Sequence, residues 1–431
     1  MTDAAIAPSS HSQSDCPQSD VRPQIHPSTV LAAFALALIA VVATRWPVMR
    51  MRPADYDEFN FVEITRTSLL PAQHTLFLAL GRILGSLVGD AYQGIVFLDM
   101  LVSALALTSA WWWLRASVQP RVALAATVVL GVGPVFWAYG AMAGNYTAII
   151  AVGSFLLGVA TRTRTDPQPW HPFAAAAVLA VGTGYRSDIG TLWLAVFFVI
   201  LWQHRWRRAL AAMGLFTIMN LAWIVPMIHD VGGWEAYIAR NRDFAYHSGF
   251  LNSVWNLGIV DAPLRYAVKV IMALVWTLGP GLVFAPRGLL RLTKQSNGFY
   301  LVGLLILSVV PALGSHLLVH FGVPGYSFHY VPALLLLLAL GIGRVPAVES
   351  ENPPRLRTDL AQVRLMGLAV TLALLFWFYP GEYQRPGLKS DFDLAFARHT
   401  RAGLLLSSGN RAPRIWRTAN SVNEPSPATN N

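Results

Sequence analysis

Charge is scarce in this sequence. Only 13% of its 431 residues are Asp, Glu, Lys or Arg, against roughly 25% in soluble globular proteins, and 55% are hydrophobic. That balance argues against a set of water-soluble domains and makes lipid the expected solvent. Cysteine is nearly absent: the one thiol, Cys16, allows no intrachain disulfide and no cysteine-based metal centre. There is no Walker-type Gly-Lys-Ser/Thr loop, no Rossmann glycine pattern and no HExxH, so neither a nucleotide nor a helix-borne zinc is indicated. Carboxylates are outnumbered, 22 against 32 Lys and Arg. The bases are scattered between apolar runs rather than gathered on one stripe, which speaks for topology signals and against a nucleic-acid partner.

What the chain does have is long apolar runs. Residues 1–27, rich in Ser, Pro, Gln and Asp, cannot bury a core and read as a disordered cytoplasmic tail, too polar for a signal peptide. Measured against the ~20 residues that a bilayer requires, about eleven apolar segments follow, near 29–47, 92–114, 122–140, 146–161, 172–185, 188–203, 209–228, 265–285, 298–318, 328–343 and 364–379. The expected fold is therefore all-α and polytopic, with residues 28–380 as one transmembrane domain and 381–431 as a non-cytoplasmic tail. Basic clusters at Arg115/Arg121, Arg162/Arg164, Arg205/Arg207/Arg208, Arg287/Arg291/Lys294 and Arg344/Arg355/Arg357/Arg364 recur at every second connection, as the positive-inside rule requires of cytoplasmic loops. Arg45, Arg50 and Arg52 follow the first segment and favour the opposite orientation locally; five later loops outvote them.

In this topology the outer side receives Asp55, Asp57, Glu58, Asp188, Asp230, Glu235, Asp243, Asp261 and the acids of the C-terminal tail. The segment from Leu70 to Val88 is apolar but interrupted by Gln73, His74 and Arg82, and is expected to lie in the headgroup plane rather than to span. Tryptophans fall near segment ends, where an aromatic belt would anchor them. A transporter or flippase, the rival reading, would show mid-helix charges and broken helices in paired positions; Asp99 is the clearest charge in the middle of a segment, so that rival is not well supported. Asn145-Tyr-Thr147 matches a glycosylation sequon but abuts an apolar helix, which makes the match a coincidence.

The first outer loop holds three carboxylates within four residues, Asp55-Tyr-Asp57-Glu58. Like charges this close raise one another's pKa, as a general base working near neutral pH needs; pairing with Arg50 and Arg52 in a solvated loop is the plainer reading of spacing alone. That run, followed by Leu70-Pro-Ala-Gln-His-Thr-Leu-Phe-Leu-Ala-Leu-Gly-Arg82, resembles the first outer loop of the C-type (GT-C) membrane glycosyltransferase superfamily, in its protein O-mannosyltransferase-like branch. There an Asp-x-x-Glu loop precedes a His-Pro-Pro-Gly-Tyr-Pro-Leu juxtamembrane helix that ends in Leu-Gly-Arg. Pro71, Leu76, Phe77, Leu80, Gly81 and Arg82 fall in register, whereas Leu70, Ala72, Gln73 and Thr75 depart from the pattern. Phe136-Trp137 and Tyr146 resemble the branch's next pattern, with Gly144 where the family has Glu. Gly184-Tyr-Arg-Ser-Asp188 and His320-Phe-Gly-Val-Pro-Gly-Tyr326 resemble outer-face turns of bacterial members.

The resemblance implies transfer of a sugar from a polyprenyl-phosphate donor to a lipid, glycan or protein acceptor at the outer face of a bacterial inner membrane. Asp55 is the expected base, with Glu58 and Asp57 as a second acid, an orienting residue or a metal ligand. No cofactor is implied, and a divalent cation is not indicated. Arg186 either neutralises Asp188 where a hairpin meets the headgroups or presents a guanidinium fork to the donor phosphate. Arg240 is a similar candidate on a solvated face. His74, His320 and Tyr326 complete the expected substrate-binding set; His316 and His320, four apart, would share a helical face if the helix runs that far. A polysaccharide polymerase or ligase working with loop Arg and His is the competing enzyme reading.

Overall fold

A computed structural model describes residues 26–46, 61, 62, 64, 65, 74–342, 360 and 362–371, and among these there is no β-strand. Fourteen helices carry the architecture: α1 Pro27–Arg45, α2 Thr75–Val88, α3 Ala91–Leu114, α4 Pro120–Val132, α5 Pro134–Tyr139, α6 Thr147–Thr165, α7 His171–Tyr185, α8 Ser187–Trp202, α9 Trp206–Asp230, α10 Trp234–Phe244, α11 Asp261–Leu278, α12 Ala285–Leu292, α13 Gly298–Leu318 and α14 Val331–Ile342. By length and composition, five stretches can cross a membrane: α1, α3, α9, the run Asp261–Leu292 and α13. Apolar helices α2, α4, α8 and α14 are shorter. These five stretches coincide with the expected segments 29–47, 92–114, 209–228, 265–285 and 298–318, while expected runs such as 172–185 and 188–203 are only 14 and 16 residues long. The expected tail at 1–27 falls almost wholly outside the described residues, as do the second half of 364–379 and all of 381–431.

The helices start and stop where local chemistry dictates. The Asp90 carboxylate accepts from the Gln93 amide at 2.8 Å and caps α3, while Gly89 closes α2 in the left-handed region at φ 80°. Pro120 and Pro134 open α4 and α5. The expected continuous segment 122–140 is broken for that reason: Gly133 is extended and Pro134 cannot donate to the preceding turn, so one helix becomes two. Gly133 also admits the Thr277 carbonyl of α11 to the place a Cβ would occupy.

Helix α3 is the central post. In its apolar window 67% of residues are buried, against 6% for α1 and 11% for α9, so the last two turn most of their surface to lipid. Between helices in lipid there is little hydrophobic drive, and close approach of small residues replaces it. Gly81, Gly85 and Gly94 provide it here: a Cβ on Gly94 would run into the Gly85 backbone, and one on Gly81 would lie 2.7 Å from Ile95. Helix α2 is thereby sealed to α3, leaving Leu80, Ile83, Leu87 and Val88 exposed in one apolar stripe. That one-sided pattern suits the expected interfacial helix. Arg82 ties it to the first loop, its guanidinium donating to the carbonyls of Thr65 (3.0 Å) and Ile64 (3.4 Å).

Not every tryptophan anchors. Trp202 and Trp206 are 91% and 67% exposed, as a belt requires, but Trp113 and Trp193 are buried in the bundle. Arg45 is also buried, under the Phe136 ring at 4.9 Å.

Candidate functional site

The polar centre of the molecule gathers where α6 and α8 begin and α7 ends. These ends are opposite those carrying Arg162/Arg164 and Arg205/Arg207/Arg208, which places the centre on the side read from sequence as the outer one. Helices α7 and α8 are joined by a single extended residue, Arg186 (φ −155°, ψ 115°), so its side chain issues from the corner itself. It is 5% exposed. Its Nε donates to the Asp188 Oδ2 at 2.9 Å and lies 2.8 Å from Oδ1 in an ion pair, and one terminal nitrogen donates to the Asn145 Oδ1 at 2.9 Å. The guanidinium lies over the Tyr146 ring at 4.1 Å and the Tyr326 ring at 4.9 Å, two rings that meet edge-to-face 5.6 Å apart and form an aromatic corner around it. Burial works against the charge of Arg186, but Asp188 and then the two tyrosines outweigh it and hold the group firmly protonated.

Asn145 is the second pillar. It is buried with φ 48°, a region that Asn tolerates better than most residues. Asp99 fixes that conformation: its carboxylate accepts from the Gly144 amide (2.6 Å), the Asn145 amide (3.1 Å) and the Tyr185 hydroxyl (3.1 Å). With Oδ1 committed to Arg186, the amide nitrogen of Asn145 must face His74, and it donates to Nδ1 at 2.9 Å. The tautomer follows, because a ring nitrogen that accepts leaves the proton on Nε2. Burial first, and then the charge of Arg186, lower the His74 pKa to about 3, so the ring is neutral at physiological pH.

On the far side of the clamp, the turn Pro324–His329 packs against α6. Gly325 is required there, because any Cβ would enter the Tyr146 ring. His329 is fully buried, 3.7 Å from the Asp188 carboxylate and stacked on Trp193 with 6.4 Å between centroids. His316 bonds the Tyr330 hydroxyl at 2.6 Å and lies 5.6 Å from the His329 ring.

Of the residues expected from sequence, the structure brings together His74, Arg186, Asp188 and Tyr326, with His320 at the edge, 6.0 Å from the Tyr326 ring. Arg240 is not brought in. It sits exposed on α10, which packs on the end of α9 and on the turn that follows it in sequence. Helix α13 ends at Leu318, so His316 and His320 do not share a helical face. Asp55, Asp57 and Glu58 lie outside the described residues. Asp99 proves to be a bonded brace rather than a mid-membrane relay. Asn145 was set aside as part of a chance sequon and turns out to join His74 to Arg186; its full burial excludes a glycan. The one signal for it was Asn at a helix start beside an aromatic. Among the described residues, no group of three or more His, Cys, Asp or Glu is placed to hold a metal.

No family profile and no curated relative matches the chain. Solved structures do. ArnT from Cupriavidus metallidurans bound to undecaprenyl phosphate superposes with a TM-score of 0.55 at 15% identity, covering 91% of this chain and 81% of that one. The apo form of the same protein gives 0.51 at 15% identity, covering 84% and 74%. The chain has the GT-C glycosyltransferase fold. The oligosaccharyltransferase AglB from Archaeoglobus fulgidus, in complex with an inhibitory peptide and a dolichol-phosphate, is more distant, with a TM-score of 0.49 at 12% identity over 81% of this chain and 55% of that one. Within the GT-C fold, the likeness does not single out the protein O-mannosyltransferase-like branch that the first-loop motif resembles.

Proposed function

We propose that this protein is a membrane glycosyltransferase that moves a sugar from a polyprenyl-phosphate-linked donor to a lipid, glycan or protein acceptor at the outer face of a bacterial inner membrane. The observation that carries the reading is the Arg186 clamp. A guanidinium held by a carboxylate and an amide against two tyrosine rings is a preorganised receptor for a phosphoryl group, and it costs no reorganisation when charge develops there. The undecaprenyl phosphate bound to ArnT, which shares the fold, supports a lipid phosphate as the ligand.

The chemistry assigned to these groups balances simply. The acceptor oxygen bonds to the anomeric carbon as the carbon–oxygen bond to phosphate breaks. The phosphate leaves with the electron pair, and Arg186 meets the charge it gains. Asp55 takes the acceptor proton, with Glu58 or Asp57 orienting it. Phe61 follows Glu58 by three positions in the sequence. Its ring lies 5.2 Å from the His74 ring, so the first loop ends beside the Asn145–Arg186 chain. His74 orients Asn145, and Asp188 positions Arg186.

One observation favours a second reading. The described part of the site is built from Arg, His and Tyr, as a polymerase or ligase without a first-loop base would require. Membranes holding matched amounts of wild type, Asp55→Asn and Arg186→Gln, supplied with radiolabelled polyprenyl-phosphate hexoses and pentoses, separate the two. Loss of transfer in both variants is the expected result. Equal transfer by wild type and Asp55→Asn would remove the base and leave the Arg/His mechanism; no transfer by wild type from any of these donors would overturn the donor class.

A further inference from the structure

Beside the clamp lies a second basic corner that the proposed chemistry does not use. Arg265 and Lys269, four residues apart on α11, share one face of that helix, an arrangement of like charges that is unfavourable unless something compensates it. No carboxylate among the described residues pairs with either. The Lys269 Nζ donates to the Phe321 carbonyl at 3.4 Å and lies 5.8 Å from the Tyr266 ring. His320 faces the same corner, its ring 6.2 Å from Tyr266 and 6.0 Å from Tyr326. Its Nδ1 is buried without a hydrogen-bond partner, and Gly322 leaves the space its ring needs: a Cβ there would be 2.5 Å from Nε2. Burial, and then the charges of Lys269 and Arg265, lower the His320 pKa to about 4, so the ring stands neutral next to two cations that share their helix face with one carboxylate, Asp261, a turn before Arg265. The corner and the clamp share a wall, because Tyr326 lies against His320 on one side and Arg186 on the other.

We propose that Arg265, Lys269 and His320 form a second phosphate-binding corner, one tyrosine away from the Arg186 clamp, so that the site holds two phosphoryl groups at once. Two cations and a neutral imidazole make up the donor set that tetrahedral anions bind, while the Tyr266 hydroxyl is committed to the Asn252 carbonyl and its ring forms the floor. The second phosphoryl group comes either from a diphosphate-linked polyprenyl donor or from an anionic phospholipid headgroup of the outer leaflet. The inference rests on the proposed reading of Arg186 as the first phosphate site.

The test measures binding of undecaprenyl monophosphate and undecaprenyl diphosphate to the full chain in phosphatidylcholine nanodiscs, with phosphatidylglycerol retention read separately by native mass spectrometry. Wild type is compared with the double variant Arg265→Gln/Lys269→Gln, with Arg265→Lys/Lys269→Arg as a charge-keeping control for folding, and with Arg186→Gln. If the donor supplies the second group, wild type prefers diphosphate to monophosphate by about tenfold or more, and the double variant loses that preference while keeping its monophosphate affinity. If a headgroup supplies it, wild type retains phosphatidylglycerol and the double variant does not, with both polyprenyl ligands unaffected. Binding of all three probes unchanged in the double variant would overturn the proposal. So would loss of monophosphate binding there as deep as in Arg186→Gln, since the corner would then be the first phosphate site. Monophosphate affinity unchanged in Arg186→Gln refutes the reading of the clamp instead, a separate outcome.

Discussion

Replacing Asp99 with leucine tests whether the buried brace holds the site. The carboxylate is completely buried and accepts three hydrogen bonds, from the amides of Gly144 and Asn145 and from the Tyr185 hydroxyl. Leucine keeps the branched heavy-atom shape but is bulkier and has no acceptor, so three buried donors lose their partner. At ~1–2 kcal/mol each for hydrogen bonds inside a membrane protein, the cost is about 3–6 kcal/mol, a large part of a typical folding free energy. Asp99→Asn keeps one acceptor oxygen for the two amides and can donate to the Tyr185 oxygen, so about 1–2 kcal/mol is expected. Apparent melting temperature in detergent, read by the loss of the monodisperse species, should rank wild type above Asp99→Asn and both well above Asp99→Leu. Phosphate-ligand binding should follow the same order, because Asn145 holds its left-handed backbone against Asp99 and passes that position on to Arg186. Asp99→Leu melting within a degree or two of wild type would show that these bonds carry no net stability and would refute the reasoning.

Further consequences can be checked individually. Arg186→Lys retains the charge but cannot reach Asp188 and Asn145 together, so a loss of about 2–5 kcal/mol in stability and weakened monophosphate binding are expected; rescue by lysine would mean that only the charge matters. Gly325→Ala pushes the Tyr146 ring off the guanidinium at a cost of about 1–3 kcal/mol, measurable by melting, and Tyr146→Phe should bind the phosphate ligand better than Gly325→Ala does. His74, with its pKa lowered to about 3, takes up a proton on unfolding at any pH between about 3 and 6.5. Its contribution to stability is therefore full above pH 6.5 and declines as the pH falls towards 3. The drop in melting temperature between pH 7.5 and 5 should be smaller in His74→Gln, and identical drops would refute the assignment.

The sequence was most readable where chemistry is one-sided. Arg186 and Asp188 stood out as ionisable residues between two apolar runs, and the first-loop motif pointed to the fold that the structure has. The same signals misled where a charge had a hidden partner. Asp99 stood out only as a mid-segment charge, because nothing within a few residues of it explains its charge; its partners are 45, 46 and 86 positions away. Asn145 was passed over for the same reason, with partners 71 positions before it and 41 after. Arg240 was carried as a phosphate candidate beside the plainer reading of a solvated face, because which way α10 packs is not written in its local pattern. The run 122–140 is interrupted at Gly133-Pro134, where an apolar stretch long enough for one span holds two short helices.

The glycine seam between α2 and α3 has a bearing on traffic. Backbone meets backbone at Gly85 and Gly94, leaving no gap that a prenyl chain could thread. On the proposed reading, the lipid-linked substrate must approach Arg186 by another door, and the seam is the closed side of the doorway: bulk added at Gly85 or Gly94 would pry the wall apart without widening the entrance.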